Sequence, residues 1–338
     1  MLYQTNGKLG LLSVMGLGCW NFGAQWANKV SEEEAVNIIR YSIDNGINFV
    51  DVAESYGYPD GQCELILGKA LKDGYREKVK IVDKIGWYGR RAKDFFYAKD
   101  SLFEKYSKKL FNKFYKKLYH YNDIDFQNRS SELLRLCGHA CCGRLGVQAI
   151  DLLLCHDGVA KDLSVFITAF RQLKAEGFLT YYGISTDDVE VLKRFYVLSD
   201  GECAACEFDY SLLNRAPEEE IIPFCAEHKI TMLARGSLGS GILSGKYDLN
   251  TTFNEPSRLA WNVGGNRRSE YEAKIATYKR ITEIANGGAK IAYPFVFSNK
   301  HHVSAVIGVT SAEQIKENVQ LCTSYMDDKM YDLLYALS

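Results

Sequence analysis

The chain has 338 residues, 47% of them hydrophobic and 25% charged, which excludes the disordered, collagenous and membrane-bundle classes. Lys and Arg number 41 against 42 for Asp and Glu, so the net charge of −1 provides no overall attraction to nucleic acid or an anionic membrane. Neither a secretory signal nor a run of about eighteen apolar residues is present, and the ten Cys are irregularly spaced. We therefore expect a cytoplasmic protein with buried thiols, no membrane span and no nucleic-acid partner. Composition leaves the oligomeric state open.

The first fifty residues predict a hairpin, a strand and a helix. Asn6-Gly7 favours a tight type I′ turn, and apolar residues flank it within residues 2–12. A short apolar strand follows at residues 14–19. Ser31 and Glu34 then form a capping box that predicts a helix, and Asn45-Gly46 ends that helix.

Strand and helix patterns alternate along the rest of the chain. Strand-like runs occupy residues 47–51, 79–84, 150–156, 179–185, 203–207, 230–235 and 303–307. The clearest helical patterns cover residues 64–72, 165–176, 189–198, 217–228, 270–285 and 312–322. With the strand at 14–19 this makes eight strands, which predicts an α/β fold of the (β/α)₈ TIM-barrel type, while an open parallel sheet stays an alternative. Nothing marks a second domain, so we predict one barrel domain over residues 1–338.

One connection, residues 88–125 after the third barrel strand, is too long for a simple loop. Its apolar residues recur every fourth position among many lysines, which predicts an amphipathic basic helix. The apolar positions are Leu102, Tyr106, Leu110, Phe114 and Leu118. This insert either packs its aromatic stripe on the barrel, covers the active site as a lid, or docks an acidic partner or membrane surface.

Common nucleotide and metal signatures are not present. Gly16 and Gly18 do not continue into G-x-G-x-x-G, and Gly245-Lys246 lacks the rest of a Walker A motif. Cys203 and Cys206 have no second pair at zinc-finger spacing. The sequence therefore predicts no metal site.

Titratable side chains stand at the ends of three predicted strands. Asp51, Lys84 and His156 each end a strand run, and Tyr56 follows Asp51 by five residues. In a barrel of this class the C-terminal ends of the strands form the active-site face. These four residues are therefore the candidate catalytic group.

The motifs around these residues resemble those of the aldo-keto reductase superfamily. GINFVDVAESYG, KIVDKIGW and AIDLLLCHDG are similar to its Asp-Tyr, Lys and His motifs. GFLTYYGIST, CEFDYSLLNR, ARGSLGSGILSGKY and SAVIGVTSAEQIKENV are similar to its cofactor-binding stretches, in the same order. The resemblance implies a catalytic tetrad of Asp51, Tyr56, Lys84 and His156, and an NAD(P)H-dependent oxidoreductase that interconverts a carbonyl and an alcohol.

The chemistry of hydride transfer is consistent with that tetrad. A carbonyl that receives hydride becomes an alkoxide and needs a proton donor. Since a free Tyr has a pKa near 10, we expect the cation of Lys84 to lower the pKa of Tyr56 so that Tyr56 can act as the general acid and base. Asp51 would orient Lys84, and His156 would hydrogen-bond the substrate oxygen.

The resemblance also assigns cofactor contacts. Ser185, Thr186 and Glu207 would face the nicotinamide carboxamide, with Thr186 in place of the commoner Asn and Glu207 in place of the usual Gln, and Tyr210 would stack on the ring. A Glu lacks the amide donors of Gln unless it is protonated. The full implied set is Gly18, Cys19, Trp20, Ser185, Thr186, Glu207, Tyr210, Ser237, Leu238, Ser240, Gly245, Lys246, Gly308, Thr310, Gln314, Glu317 and Asn318. No Lys or Arg lies between Gly308 and Gln314, yet the Gly-x-Thr pattern there favours NADP(H) over NAD(H).

The sequence restricts the substrate class less than it restricts the type of reaction. Trp20, Trp87 and Tyr88 adjoin motif positions and are the predicted pocket walls, which suit a sugar, a nucleotide-linked sugar or an aryl aldehyde. Two alternatives to a carbonyl reductase stay open: an aldose or sugar-intermediate dehydrogenase working in the oxidation direction, and a cofactor-sensing regulatory subunit with little turnover.

Overall fold

A computed structural model describes residues 1–23, 30–86, 130–158, 160, 162–254, 258–285 and 287–337. The predicted insert at 88–125 lies outside these residues, as do Trp87 and Tyr88. Within the described part, no helix has both the length and the apolar character needed to cross a membrane.

The N-terminal hairpin is confirmed, but the prediction of a two-residue type I′ turn is wrong. Strands β1 (Tyr3–Thr5) and β2 (Leu11–Ser13) pair with Thr5 opposite Leu11, and a 3₁₀ turn at Gly7–Leu9 lies between them. Asn6 has a φ of −120°, whereas a type I′ turn needs positive φ at both central residues. Its amide instead donates to the Met232 carbonyl at 2.8 Å and its oxygen accepts from the Met232 N–H, so Asn6 anchors the hairpin to the barrel.

The remaining strands form a closed parallel barrel. They are β3 (Met15–Gly18), β4 (Phe49–Asp51), β5 (Lys80–Ile85), β6 (Ile150–Cys155), β7 (Leu179–Ser185), β8 (Ala205–Asp209), β9 (Thr231–Arg235) and β10 (Ser304–Gly308). Each strand pairs with its sequence neighbours, and β10 pairs with both β9 and β3. The barrel prediction is therefore confirmed and the open sheet is excluded.

Helices connect the strands. They are α1 (Glu32–Asp44), α2 (Gln62–Ala70), α3 (Ser131–Leu145), α4 (Ser164–Ala175), α5 (Val189–Leu198), α6 (Ile221–Glu227), α7 (Arg268–Ile284), α8 (Ala289–Phe297), α9 (Ala312–Gln320) and α10 (Asp328–Tyr335). The predicted cap is confirmed, since the Ser31 hydroxyl accepts from the Glu34 N–H at 3.1 Å. The single helix predicted at 217–228 is wrong, because a 3₁₀ turn at Ala216–Glu218 precedes the shorter α6.

The floor of the barrel is apolar. Phe49, Val82, Leu152, Leu154 and Leu233 pack inside it, together with Leu9 and Leu12 of the hairpin. Gly16 leaves space for the Phe49 ring, since a Cβ at Gly16 would lie 2.1 Å from that ring. Charged side chains enter the barrel at the C-terminal ends of the strands, whereas at the other end the buried hydroxyls of Thr231 and Ser304 bond the hairpin residue Asn6.

Candidate active site

Three charged residues enter the barrel directly above this floor. Asp51, Lys84 and Glu207 lie two residues beyond the floor residues Phe49 on β4, Val82 on β5 and Ala205 on β8. Alternate residues of a strand point to the same side. All three are buried, and the Lys84 side chain is 0% exposed. The fold thus removes an ammonium group and two carboxylates from water at one place.

Lys84 is the centre of the predicted catalytic group. Its Nζ donates to the Asp51 carboxylate, and it lies 3.3 Å from the Tyr56 hydroxyl and 3.4 Å from the Val52 carbonyl. The imidazole of His156, which follows β6, meets the Tyr56 ring edge-on with 5.9 Å between centroids. Asp51, Tyr56, Lys84 and His156 are therefore brought together at the barrel mouth.

The charges at the site shift the ionisation of Lys84 and Asp51. Burial alone would lower the pKa of Lys84, but Asp51, Glu207 and Tyr56 raise it well above its usual value. Burial and the neighbouring Glu207 raise the pKa of Asp51, although Lys84 opposes this shift. Lys84 is consequently a permanent cation beside the Tyr56 hydroxyl.

Tyr56 differs from the expectation in one respect. Lys84 lowers the pKa of Tyr56, as predicted, but burial outweighs it and Asp51 and Glu207 add to the rise, so the net pKa of Tyr56 is raised. The prediction of a lowered pKa is wrong for this structure, because it counted the cation and not the desolvation or the second carboxylate. The phenol is therefore protonated at neutral pH, the form that donates a proton.

A second group of charges lies outside this centre. The Arg235 Nε, at the end of β9, is 4.0 Å from the Glu207 Oε1, and its guanidinium also pairs with Asp187. Asp187 in turn accepts from the Asp209 N–H at 2.7 Å. Arg235 was not predicted as a site residue, although it ends the strand-like run at 230–235 just as Asp51 and Lys84 end theirs.

Comparisons with known proteins identify the family. A sequence profile described as Aldo/keto reductase family matches residues 14–338. The chain belongs to this family. It is an NAD(P)-dependent oxidoreductase of the aldo-keto reductase family, and the resemblance predicted from the motifs is confirmed.

Individual relatives are distant but match nearly the whole chain. A probable aldo-keto reductase 1 of Glycine max is 25% identical over 324 residues, covering 94% of this chain and 83% of the relative. An NADH-specific methylglyoxal reductase of Escherichia coli (strain K12) is 25% identical over 334 residues, covering 94% and 92%. The solved structure of a glycerol dehydrogenase from Gluconobacter oxydans is 21% identical with a TM-score of 0.75, covering 99% of this chain and 94% of that one, and shares the fold.

The residues that the resemblance assigns to the nicotinamide lie beside the tetrad. Ser185 and Glu207 are paired neighbours on β7 and β8, and the Thr186 N–H donates to the Glu207 carbonyl at 2.9 Å. Gly18 pairs with Asp51, and the Cys19 N–H donates to the Asp51 carbonyl at 2.8 Å. The indole of the next residue, Trp20, is 38% exposed at the same end of the barrel.

Tyr210 is not brought to this group. Its ring is fully buried next to Phe208 and Phe295, outside the barrel. Its hydroxyl donates to Glu218 at 2.7 Å and accepts from the Asn299 amide at 3.2 Å. Tyr210 comes directly after the last residue of β8, and because its ring is fully buried in this packing we do not retain a stacking role for it.

The segment after β9 is the one that the resemblance assigns to the cofactor diphosphate. Gly239, Ser240, Gly241 and Gly245 have positive φ, and the N–H groups of Gly239, Gly241 and Gly245 donate to carbonyls within the segment. Ser237 is buried, with its hydroxyl donating to the Ala234 carbonyl at 3.1 Å, whereas Lys246 is exposed. Leu238 is partly buried beside them.

The segment after β10 fits the adenosine end of a dinucleotide. The Ser311 hydroxyl caps α9 by accepting from the Gln314 N–H, and the Gln314 oxygen accepts from the Thr310 N–H at 2.8 Å. This places the N-terminus of a nine-residue helix, which favours anions, beside Gly308 at the end of β10. Farther along α9, Glu317 is exposed and Asn318 is buried.

Proposed function

We propose that this aldo-keto reductase reduces a small aldehyde, ketone or sugar-type carbonyl with a nicotinamide cofactor, and that Tyr56 is the general acid. The observation that carries the proposal is the Lys84 Nζ held between the Asp51 carboxylate and the Tyr56 hydroxyl, 3.3 Å from that hydroxyl. The reduced nicotinamide supplies the hydride when it is bound. The residues of this chain bind, orient and protonate the substrate.

Each tetrad residue has a distinct proposed part. Tyr56 donates its hydroxyl proton to the oxygen that gains negative charge, and the Lys84 cation stabilises the phenolate left behind. Asp51 keeps Lys84 in place through their ion pair. His156, edge-on to the Tyr56 ring, hydrogen-bonds the same substrate oxygen and fixes its direction.

The proposed cofactor site combines the segments at the C-terminal ends of the strands. Gly18, Cys19, Trp20, Ser185, Thr186 and Glu207 would adjoin the nicotinamide; Ser237, Leu238, Ser240, Gly245 and Lys246 the diphosphate; and Gly308, Thr310, Gln314, Glu317 and Asn318 the adenosine. Trp20 also forms a wall of the proposed substrate pocket. Trp87 and Tyr88 keep the same predicted role, on sequence grounds.

A panel assay tests the activity. NADPH and NADH oxidation would be followed with aldehydes, ketones and aldoses, and cofactor reduction with the matching alcohols. Turnover of one carbonyl class supports the proposal. Faster turnover of sugars in the oxidation direction would favour the sugar dehydrogenase alternative, and tight cofactor binding without any turnover would favour a cofactor sensor.

We further propose that the enzyme prefers NADP(H). The Thr310 hydroxyl and the N-terminus of α9 are the groups that would receive a 2′-phosphate, without a bidentate cation. We therefore expect NADPH to bind about tenfold more tightly than NADH, about 1.4 kcal/mol, in a fluorescence titration. In Gln314→Glu the added negative charge should remove this preference. Equal affinities in the unaltered enzyme, or the NADH preference stated in the name of the Escherichia coli relative, would contradict this expectation.

A further inference from the structure

We propose that Glu207 is a positioning residue for the Tyr56–Lys84 pair, a second carboxylate on Lys84 that Arg235 holds from the opposite side. The inference rests on the proposed function, since it assigns Tyr56 as the acid. It gives Glu207 a task other than the carboxamide contact that the family resemblance implies.

The geometry shows Glu207 between two cations. Its Oε2 lies 3.3 Å from the Lys84 Nζ, and its Oε1 lies 4.0 Å from the Arg235 Nε. Glu207 is 1% exposed, and Lys84 is the nearest cation to its carboxylate within the described part of the chain. A carboxylate in this position is stable only with paired charge, because burial of an unpaired charge is costly.

The row of charges continues on both sides of Glu207. It alternates in sign from Asp51 through Lys84, Glu207 and Arg235 to Asp187. Among the described residues, the titratable groups around Tyr56 and Glu207 at the mouth are, by element, Cys19 after β3, Asp51 on β4, Lys84 on β5, His156 after β6, Asp187 after β7, Asp209 on β8 and Arg235 on β9. A neutral Gln at position 207 would break the alternation at its centre.

The effect on catalysis follows from the sign of the charge. An anion near a phenol disfavours the phenolate, and Glu207 acts in this direction on Tyr56. Arg235 offsets part of the Glu207 charge, so its removal should act in the opposite direction. The Glu207–Arg235 pair should therefore adjust the pH range in which Tyr56 is protonated, in addition to the larger effects of burial, Lys84 and Asp51.

The first test compares pH profiles of kcat/KM for the wild type and two variants. Glu207→Gln should move the limb attributed to Tyr56 to lower pH, by roughly one unit, or about tenfold in rate at a fixed pH on that limb. Arg235→Gln should move the same limb to higher pH. In Glu207→Asp the limb attributed to Tyr56 should stay at its wild-type pH, because the negative charge is kept. Shifts of both Gln variants in one direction, or no shift in either, would overturn the proposal.

Glu202→Gln is the matched control. Glu202 is another carboxylate, which accepts from the Tyr182 hydroxyl, but it precedes β8 and lies away from Lys84. Removal of the Glu202 charge should leave the limb attributed to Tyr56 at its wild-type pH. An equal shift in this control would mean that total charge, and not the Glu207 position, sets the profile.

A second test needs no turnover and so separates this inference from the proposed function. The second test uses chemical unfolding. Lys84→Met removes the ammonium group that lies between the carboxylates of Asp51 and Glu207, so that two like charges are left unpaired. The double variant Lys84→Met with Glu207→Gln leaves only the Asp51 carboxylate. The loss of stability caused by Lys84→Met should therefore be smaller in the Glu207→Gln background. Additive losses would overturn the Glu207–Lys84 coupling even in an active enzyme. Non-additive losses in an enzyme that reduces no carbonyl would support the coupling and reject the proposed function.

Discussion

At the scale of single residues, the site depends on one buried cation. Lys84 has no exposed surface and meets two carboxylates and a phenol, so its charge is fixed by its surroundings and does not depend on solvent. Such a group can stabilise negative charge that develops on Tyr56 without reorganisation of water.

Lys84→Met should reduce turnover by roughly 10²- to 10⁴-fold and move the pH optimum of reduction upward. The reason is that Lys84 lowers the pKa of Tyr56, and without it burial and the carboxylates act unopposed. The measurement is kcat against pH with a fixed carbonyl. Lys80→Met, at the opposite end of the same strand, is the control and should leave the profile unchanged. An unaltered pH profile in Lys84→Met would show that Lys84 does not affect the ionisation of Tyr56.

Much of this site could be predicted from the sequence, because strand-end residues are recognisable when a strand pattern is regular. Asp51, Lys84 and His156 were found in this way. The raised pKa of Tyr56 could not be, since it depends on how many charges converge from β4, β5 and β8 and on how deeply they are buried. The packing of the Tyr210 ring against Phe208 and Phe295 could not be predicted either, because Tyr210 lies just beyond the end of β8.

At the scale of elements, the sequence was misleading in one place and uninformative in another. Asn6-Gly7 is a turn signal, but the buried Asn6 amide bonds the Met232 backbone and the turn takes another form. Helix α8 is apolar on all sides, with Ile291 to Phe297 all buried, so it shows no amphipathic period to detect.

The contact of α2 and α3 with β5 contains a further buried carboxylate. Asp83 is fully buried next to Glu64 and Cys141, and Arg144 pairs with Glu64 at 2.7 Å. Burial and the nearby Glu64 raise the pKa of Asp83 well above its usual value. A folded-state pKa raised in this way means that stability falls as the pH rises from about 4 through the folded-state pKa.

Asp83→Asn should therefore stabilise the protein at pH 7. The Asn oxygen can still accept from the Lys84 N–H, as Asp83 does at 2.7 Å, and each pKa unit of the removed shift corresponds to about 1.4 kcal/mol. Urea unfolding should show the gain at pH 7 and a smaller gain toward pH 4. As a control, Asp44→Asn should lower stability at pH 7, because hydrogen bonding to Tyr75 lowers the pKa of Asp44. A gain for Asp83→Asn that is independent of pH would contradict the account.

At the scale of the whole molecule, the closed barrel places its apolar floor and its candidate catalytic residues at opposite ends. The hairpin and the apolar floor close one end, and every candidate catalytic residue lies at the other. One domain over residues 1–338 stays a prediction, as does the role of the insert at 88–125.

Replacing residues 92–122 by a short Gly-Ser turn tests that role. Because the insert leaves from the strand that carries Lys84, we expect a folded barrel that binds cofactor and has a higher KM or a broader substrate range. Thermal unfolding, cofactor titration and the carbonyl panel measure these properties. Unchanged kinetics with loss of self-association or of a partner would favour the docking alternative, and failure to fold would identify the stripe from Leu102 to Leu118 as core.

The most direct test of the central claim is Tyr56→Phe. The variant keeps the ring beside His156 but lacks the hydroxyl that contacts Lys84. Carbonyl-dependent cofactor oxidation should fall by roughly 10²- to 10⁴-fold, while cofactor affinity stays within about twofold of the wild type. Turnover near that of the wild type, with the cofactor bound normally, would contradict the assignment of Tyr56 as the general acid.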